Sequence, residues 1–247
     1  MFFSSPTTVP RETADHSLGA HSPHVYQTQL FKFKRHDSLH FSNSGLWRIQ
    51  RGFVRTLTWN ESGDFIPLGF WQTGDVIGSA IAQATPYKAQ CLTPVVAEYL
   101  GSRYAFSKSD VLAQVKQSNE LLQISHCRNA ETRLLSFLCW AARQFGQLSV
   151  LANSEGERTE CYRHRLKLTH QEIGESIGIT RVTVTRLLKG LENDGFIKWN
   201  AKEKVIFPKA FRRCYDSVLS KGLLFKDGAV AKEDASYKRE AALKRGP

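Results

Sequence analysis

Residues 168–197 constrain the chain more than any other stretch. They read Leu168-Thr169-His170-Gln171-Glu172-Ile173-Gly174-Glu175-Ser176-Ile177-Gly178-Ile179-Thr180, then Arg181-Val182-Thr183-Val184-Thr185-Arg186-Leu187-Leu188-Lys189. Thr169 stands three residues ahead of Glu172, the spacing of a capping box, where hydroxyl and carboxylate each satisfy an N–H that a helix start leaves unpaired. The spacing predicts a helix from Thr169 to about Ser176, with Ile173 and Ile177 on its buried side. Gly178 can adopt the left-handed conformation that turns the chain, Ile179 can plug the gap between helices, and Thr180 caps a second helix. On that helix Val184, Leu187, Leu188 and Leu191 recur at i, i+3, i+4, i+7 and form one apolar face. Arg181, Val182, Thr185, Arg186 and Lys189 fall mainly opposite, and none is acidic. Two helices joined this tightly make a helix-turn-helix, a unit that lays its second helix in the major groove of DNA. Arginine there suits guanine O6 and N7, and Thr or Val methyls suit the thymine methyl. Arg181, Val182, Thr185 and Arg186 are the candidate base readers, with Lys189 beside them for phosphate.

After Asp194-Gly195 the run from Phe196 to Phe207 reads as a hairpin, the wing of a winged helix, with Lys202 and Lys204 placed at its tip to touch phosphate. Charge agrees. Residues 128–213 carry 16 basic and 9 acidic side chains, whereas residues 1–127 carry 11 and 9, so the net +11 of the 247-residue chain is concentrated in one segment. A basic segment beside a DNA-reading motif is the footprint of a polyanion binder.

Upstream, residues 26–105 form short apolar stretches broken by Gly52, Gly63, Gly74-Asp75 and Gly78, the rhythm of a small antiparallel β-barrel or sandwich. Residues 1–25 read as a flexible leader; its His16, His21 and His24 have no carboxylate or thiolate at ligand spacing, so no metal site is expected. Residues 106–129 hold a connecting helix between about Ser107 and Cys127. A helix from Ala130 to Phe145, stopped by Gly146, opens the DNA-binding unit of residues 130–210. Leu148 to Arg165 reads as a loop, with a short strand near Leu166. Residues 211–247 read as a basic, mixed-charge tail. The length allows one large domain or two smaller ones with separate cores. Five scattered cysteines without a CxxC pair argue against a disulfide framework or a thiolate metal site. No apolar run approaches the roughly 20 residues that span a membrane, and no secretory signal is visible, so a cytoplasmic location is expected.

Thr169–Gly174 and Gly178–Leu188 resemble the helix-turn-helix of the cAMP receptor protein/FNR (Crp/FNR) family of bacterial transcription regulators. The run Thr180–Leu188 is especially similar to the cyanobacterial nitrogen-regulator branch. The resemblance is strong over 130–207 and looser over 39–104. It implies an α+β chain with an N-terminal double-stranded β-helix barrel of the cupin-like, cyclic-nucleotide-binding type, connecting helices and a C-terminal winged helix-turn-helix. It implies Arg181 and Arg186 as guanine readers, and Thr169, His170, Gln171, Thr180 and Thr183 as phosphate contacts. It also implies a homodimer reading a palindrome and, as a partner beside double-stranded DNA, RNA polymerase. Two departures from the family pattern matter. The family's phosphate cassette carries a Glu and an Arg, but Gly78-Ser79-Ala80-Ile81 and Pro86-Tyr87-Lys88-Ala89 hold neither. Gly78, Ser79 and Lys88 are what remains for an effector. Lys88 offers a point charge where a bidentate clamp is needed, which disfavours cAMP and 2-oxoglutarate, and no cofactor is expected. The span ahead of Ala130 is also short for the family's long dimerisation helix.

No P-loop, GxSxG or HExxH pattern occurs, and no carboxylate pair is suggested by spacing, so no enzyme is expected. The alternative reading is a non-specific nucleic-acid-binding or nucleoid-associated protein whose barrel is structural.

Overall fold

Alternating apolar positions separated by glycine turns become strands. The computed structural model of the chain describes residues 7–8, 29–39, 45–101, 104–105, 107–152, 158–200 and 203–219. Strands β1 (Thr7–Thr8), β2 (Leu30–Phe33), β3 (Ser38–Leu39), β4 (Leu46–Arg51), β5 (Val54–Trp59), β6 (Phe65–Trp71) and β7 (Val76–Ile77) come first. A one-turn helix α1 (Ser79–Ala82), then β8 (Lys88–Cys91) and β9 (Val95–Gly101), complete this half. The strands form two antiparallel sheets, β1-β2-β9-β4-β7 and β3-β8-β5-β6. Both sheets send side chains into one core built around Trp47, Trp71, Phe33, Ile49, Val54 and Ala97. Phe31, Phe33 and Tyr99 pack their rings on Trp47 at centroid distances of 5.0–5.5 Å, so bulky aromatics fill the space between the sheets. The leader departs from expectation at one point. Thr7–Thr8 pairs with Phe31–Lys32 and extends a sheet, while the three leader histidines lie outside the described residues.

The connecting helix α2 (Lys108–Ser125) begins at a Ser107–Asp110 capping box. It docks on the barrel through polar groups. Strand β6 is a sheet edge, and Gln117 bonds both the N–H and the carbonyl of Phe70, each at 2.7 Å, while Gln114 and Ser118 donate to the Leu68 carbonyl. These side chains satisfy backbone groups that an uncovered edge leaves open. Of the apolar residues of α2, Leu121 and Ile124 are buried, whereas Leu112, Val115 and Leu122 are about half exposed.

Helix α3 (Ala130–Phe145) follows, with Leu134, Leu138, Ala141 and Phe145 buried as their spacing predicts. The segment read as a loop is a β-hairpin, β10 (Gln147–Ala152) paired with β11 (Arg158–Arg163), and no strand forms at Leu166, which is buried in the connection from β11 to the next helix. Its polar composition suggested a loop because the hairpin is largely exposed and its buried positions are few, Cys161 foremost. Helices α4 (His170–Ile177) and α5 (Arg181–Asn193), strands β12 (Ile197–Trp199) and β13 (Lys204–Ile206), and helix α6 (Pro208–Leu219) complete the described chain. The expected wing is present, but inside a four-stranded sheet β10-β11-β13-β12. The tail does not begin at 211. Phe211 packs on Tyr162 with ring centroids 4.9 Å apart, and Arg213 pairs with Glu131 of α3, so the chain stays helical to Leu219. Residues 220–247 lie outside the described residues.

The two halves do not keep wholly separate cores. The barrel has its own cluster, but Phe53, Phe70 and Leu92 belong to a second one with α3 and the buried faces of α4 and α5. Phe70 stands 5.7 Å from both Phe137 and Trp140, centroid to centroid.

Candidate nucleic-acid interface

The helix-turn-helix forms as its residues dictate. The Thr169 hydroxyl accepts from the Glu172 N–H at 3.1 Å, and the Glu172 carboxylate accepts from the Thr169 N–H at 2.7 Å. Gly178 ends α4 at φ +66°, a conformation strained for residues with a Cβ. Gly174 serves close approach, since a Cβ there would stand 2.5 Å from the Ile179 carbonyl oxygen. Arg133 of α3 donates to the Ile177 carbonyl at 3.0 Å and so caps the end of α4. Thr180 then caps α5 by accepting from the Thr183 N–H.

Helix α5 buries Val184, Leu188 and Leu191 and partly buries Leu187. Arg181, Val182, Thr185, Arg186 and Lys189 are all exposed, as the spacing predicts. Val182 is 77% exposed, an apolar side chain that nothing in the described chain covers. Thr169, His170, Gln171 and Arg181 line one open hollow of about 370 Å³ at the start of the two helices. Four residues named from the sequence for DNA contact thus share a concavity where helix N-termini, carrying unpaired N–H groups, favour phosphate.

Within this surface several groups bond one another. His170 Nδ1 and the Thr185 hydroxyl are 2.8 Å apart, and the same hydroxyl lies 3.0 Å from the Arg181 carbonyl. Gln171 donates to Glu175 at 3.0 Å, and the Thr180 and Thr183 hydroxyls are 2.9 Å apart. Burial, with the nearby Lys204 and Arg181 charges, lowers the pKa of His170 and favours the neutral imidazole.

Lys204 departs from expectation. It lies opposite Trp199 in the hairpin, its Nζ donates to the Leu168 carbonyl at 2.8 Å and sits 5.0 Å from the centre of the indole. Burial, reinforced by Arg35, lowers its pKa. It braces the segment ahead of α4 instead of standing at the wing tip. Lys202 lies outside the described residues. Lys198, on the wing, pairs with Glu203 at 2.6 Å.

In the barrel, Gly78 and Ser79 stand at the start of α1 and Lys88 begins β8. Gly78 is buried against Leu46, Ser79 begins α1, and the Lys88 ammonium sits 5.8 Å from the Phe65 ring centre. The Tyr87 hydroxyl is hydrogen-bonded to the Gly78 backbone and to Thr56, and burial pushes its pKa up.

Spacing did not show the joint between barrel and reading head. The Arg55 side chain, 4% exposed, donates to Glu175 of α4 at 2.7 Å and to Gln90 at 2.9 Å. Arg35 donates to the Lys167 carbonyl at 2.6 Å and stands 3.5 Å from Glu172, as does His36. Both α4 carboxylates therefore lean on barrel cations. The one signal was Arg55 itself, a charge inside the apolar run Phe53–Leu57.

Residues 132–210 match the Crp-like helix-turn-helix domain. Over 152 residues the chain is 38% identical to the regulatory protein CysR of Synechococcus elongatus, covering 62% of this chain and 71% of that protein. The chain belongs to the Crp/FNR family of transcription regulators. The global nitrogen regulator of the same organism, 28% identical over 203 residues, matches 72% of this Crp/FNR chain and is itself 86% covered. A CRP/FNR-family transcriptional regulator from Thermus thermophilus superposes with a TM-score of 0.58 at 18% identity, covering 75% of this chain and 98% of its own. That likeness bears on fold, and it identifies the facing sheets as the family's β-barrel unit ahead of the winged helix. As a Crp/FNR-type regulator, the protein binds DNA through its helix-turn-helix. No described helix is long and apolar enough to cross a membrane.

Proposed function

We propose that the protein works as a homodimer in which two copies of α5 read the half-sites of a palindrome. Arg181 and Arg186 take guanine, and Val182 with the Thr185 methyl takes thymine. Thr169, His170, Gln171, Thr180, Thr183 and Lys189 hold phosphates on either side. The observation that carries this reading is the state of the α5 face: all five named side chains are exposed, and neither guanidinium makes a hydrogen bond or ion pair among the described residues. The Thr185 hydroxyl donates to the Arg181 carbonyl and accepts from His170 Nδ1–H, which fixes the ring against α5 and leaves the His170 backbone N–H, in the first turn of α4, for a phosphate.

Leu112, Val115 and Leu122 recur on one face of α2 at i, i+3, i+10, and they supply an apolar stripe for a second copy. RNA polymerase is the further partner of a regulator acting at promoters. In the barrel, the missing cassette Glu and Arg and the Trp71–Thr56–Tyr87 hydrogen-bond chain support a reading in which neither cAMP nor 2-oxoglutarate is the effector.

Selection of bound sequences from random DNA tests the reading, followed by titration of the selected and a scrambled duplex across salt concentrations. A palindrome preferred by roughly 10³-fold or more is the expected result. Equal affinities with a shared salt slope would establish the non-specific binder instead.

A further inference from the structure

Helix α6 crosses α3 with two sulfurs at the contact. Cys139 of α3 is fully buried and Cys214 of α6 half-buried. Their Sγ atoms stand 3.5 Å apart, although 75 residues separate them along the chain. Cys91 belongs to the barrel core, Cys127 ends the α2 region and Cys161 lies on β11. The two helices are fixed in this register by the Arg213–Glu131 pair and by the Arg143 guanidinium of α3, 5.9 Å from the Phe211 ring centre. A disulfide needs sulfurs about 2.05 Å apart, so closure asks for about 1.5 Å of movement, within reach of side-chain rotation and a small shift of α6.

We infer that Cys139 and Cys214 form an oxidisable dithiol which a hydroperoxide converts to an intramolecular disulfide, stapling α6 to α3.

The environment divides the two roles. Burial holds Cys139 in its protonated form. Hydrogen bonding from Cys139, assisted by Ser136, Arg143 and Arg213, lowers the pKa of the more accessible Cys214 and favours its thiolate. The Cys214 thiolate attacks a peroxide oxygen. The O–O bond breaks, the other oxygen leaves as water or alcohol after taking a proton, and Cys214 becomes a sulfenic acid. The Cys139 sulfur then attacks the Cys214 sulfur; the S–O bond breaks and hydroxide leaves as water with the Cys139 proton. Two thiols and one hydroperoxide give one disulfide, one water and the alcohol (a second water for hydrogen peroxide itself). The sulfurs supply the two electrons.

The staple acts on the support of the reading helix and not on its DNA face. Lys209 of α6 donates to the Asp194 carbonyl at 2.6 Å, and Arg213 approaches the Asp194 carboxylate at 3.9 Å, so α6 holds the C-terminal end of α5.

The test treats the full-length reduced protein with hydrogen peroxide, blocks remaining thiols, and maps unreduced peptides by mass spectrometry. The expected result is a Cys139–Cys214 linked peptide lighter by two hydrogens, with two of the five thiols lost to that link. Cys214→Ser removes the link, and so does Cys139→Ala, which buries no new hydroxyl; Cys127→Ser keeps it. Circular dichroism confirms that each variant is folded. Recovery of Cys139 as a free thiol at a peroxide level that fully oxidises Cys127 would overturn the inference. So would links formed only between chains.

Discussion

A guanidinium reads guanine well only when nothing in its own protein competes for its donors. Arg181 and Arg186 meet that condition among the described residues, whereas Lys204 and Arg55 are held by internal acceptors. Arg186→Ala should therefore erase about 1–3 kcal/mol of preference for the correct base pair and barely change binding to scrambled DNA. Lys189→Ala should weaken both duplexes alike and lower the salt slope by about one, because it removes a charge without a base contact. Competition binding at two salt concentrations separates the two outcomes. A third residue governs acid stability. Burial lowers the pKa of His164 from 6.5 to about 4; among the described residues its Nδ1 meets the Leu166 carbonyl, its Nε2 has no hydrogen-bond partner, and Trp199 stands edge-on at 5.4 Å. The unfolded imidazole takes a proton more readily, so the contribution of His164 is complete above about pH 6.5 and falls away as pH drops towards 4. About 3 kcal/mol should be lost over that interval. Urea unfolding at several pH values should show His164→Phe with that much less pH dependence.

At the scale of the element, the turn between α4 and α5 is set by a contact that a Cβ cannot share. Gly174→Ala forces the helix away from the Ile179 carbonyl and should destabilise the protein by about 1–3 kcal/mol, read as a lower melting temperature, with weaker DNA binding because α5 shifts with the turn. This element was the most legible part of the sequence. Capping at Thr169 and Thr180, the Gly178 turn and the i, i+3, i+4 spacing of α5 are local signals, and local signals survive folding. Others depended on distant partners. The β10–β11 hairpin was hidden because its outward strand faces are mixed in composition, with Leu148 and Val150 themselves more than half exposed. Helix α2 was visible as a helix, but its docking face was not, since glutamines and a serine take the place that apolar residues occupy on most helices. Lys204 looked like a wing-tip cation until the partner that draws it inward, the Leu168 carbonyl 36 residues away, came into view.

For the whole molecule, the Arg55–Glu175 pair joins the sensor-like barrel to the first helix of the reading head. Glu175→Ala leaves a guanidinium that is 4% exposed without its carboxylate and should destabilise the fold by about 3 kcal/mol or more. Arg55→Met combined with Glu175→Leu should recover much of that loss, since the charge and its partner leave together. Chemical unfolding of the three variants checks both statements. The apolar seam that the barrel shares with the reading head has a further consequence. Phe53, Phe70 and Leu92 lie in the same cluster as α3 and the inner side of α5. A chimera that transplants residues 130–219 onto a foreign receptor would arrive with its underside stripped, and would need a new floor of matching shape before it could hold a promoter.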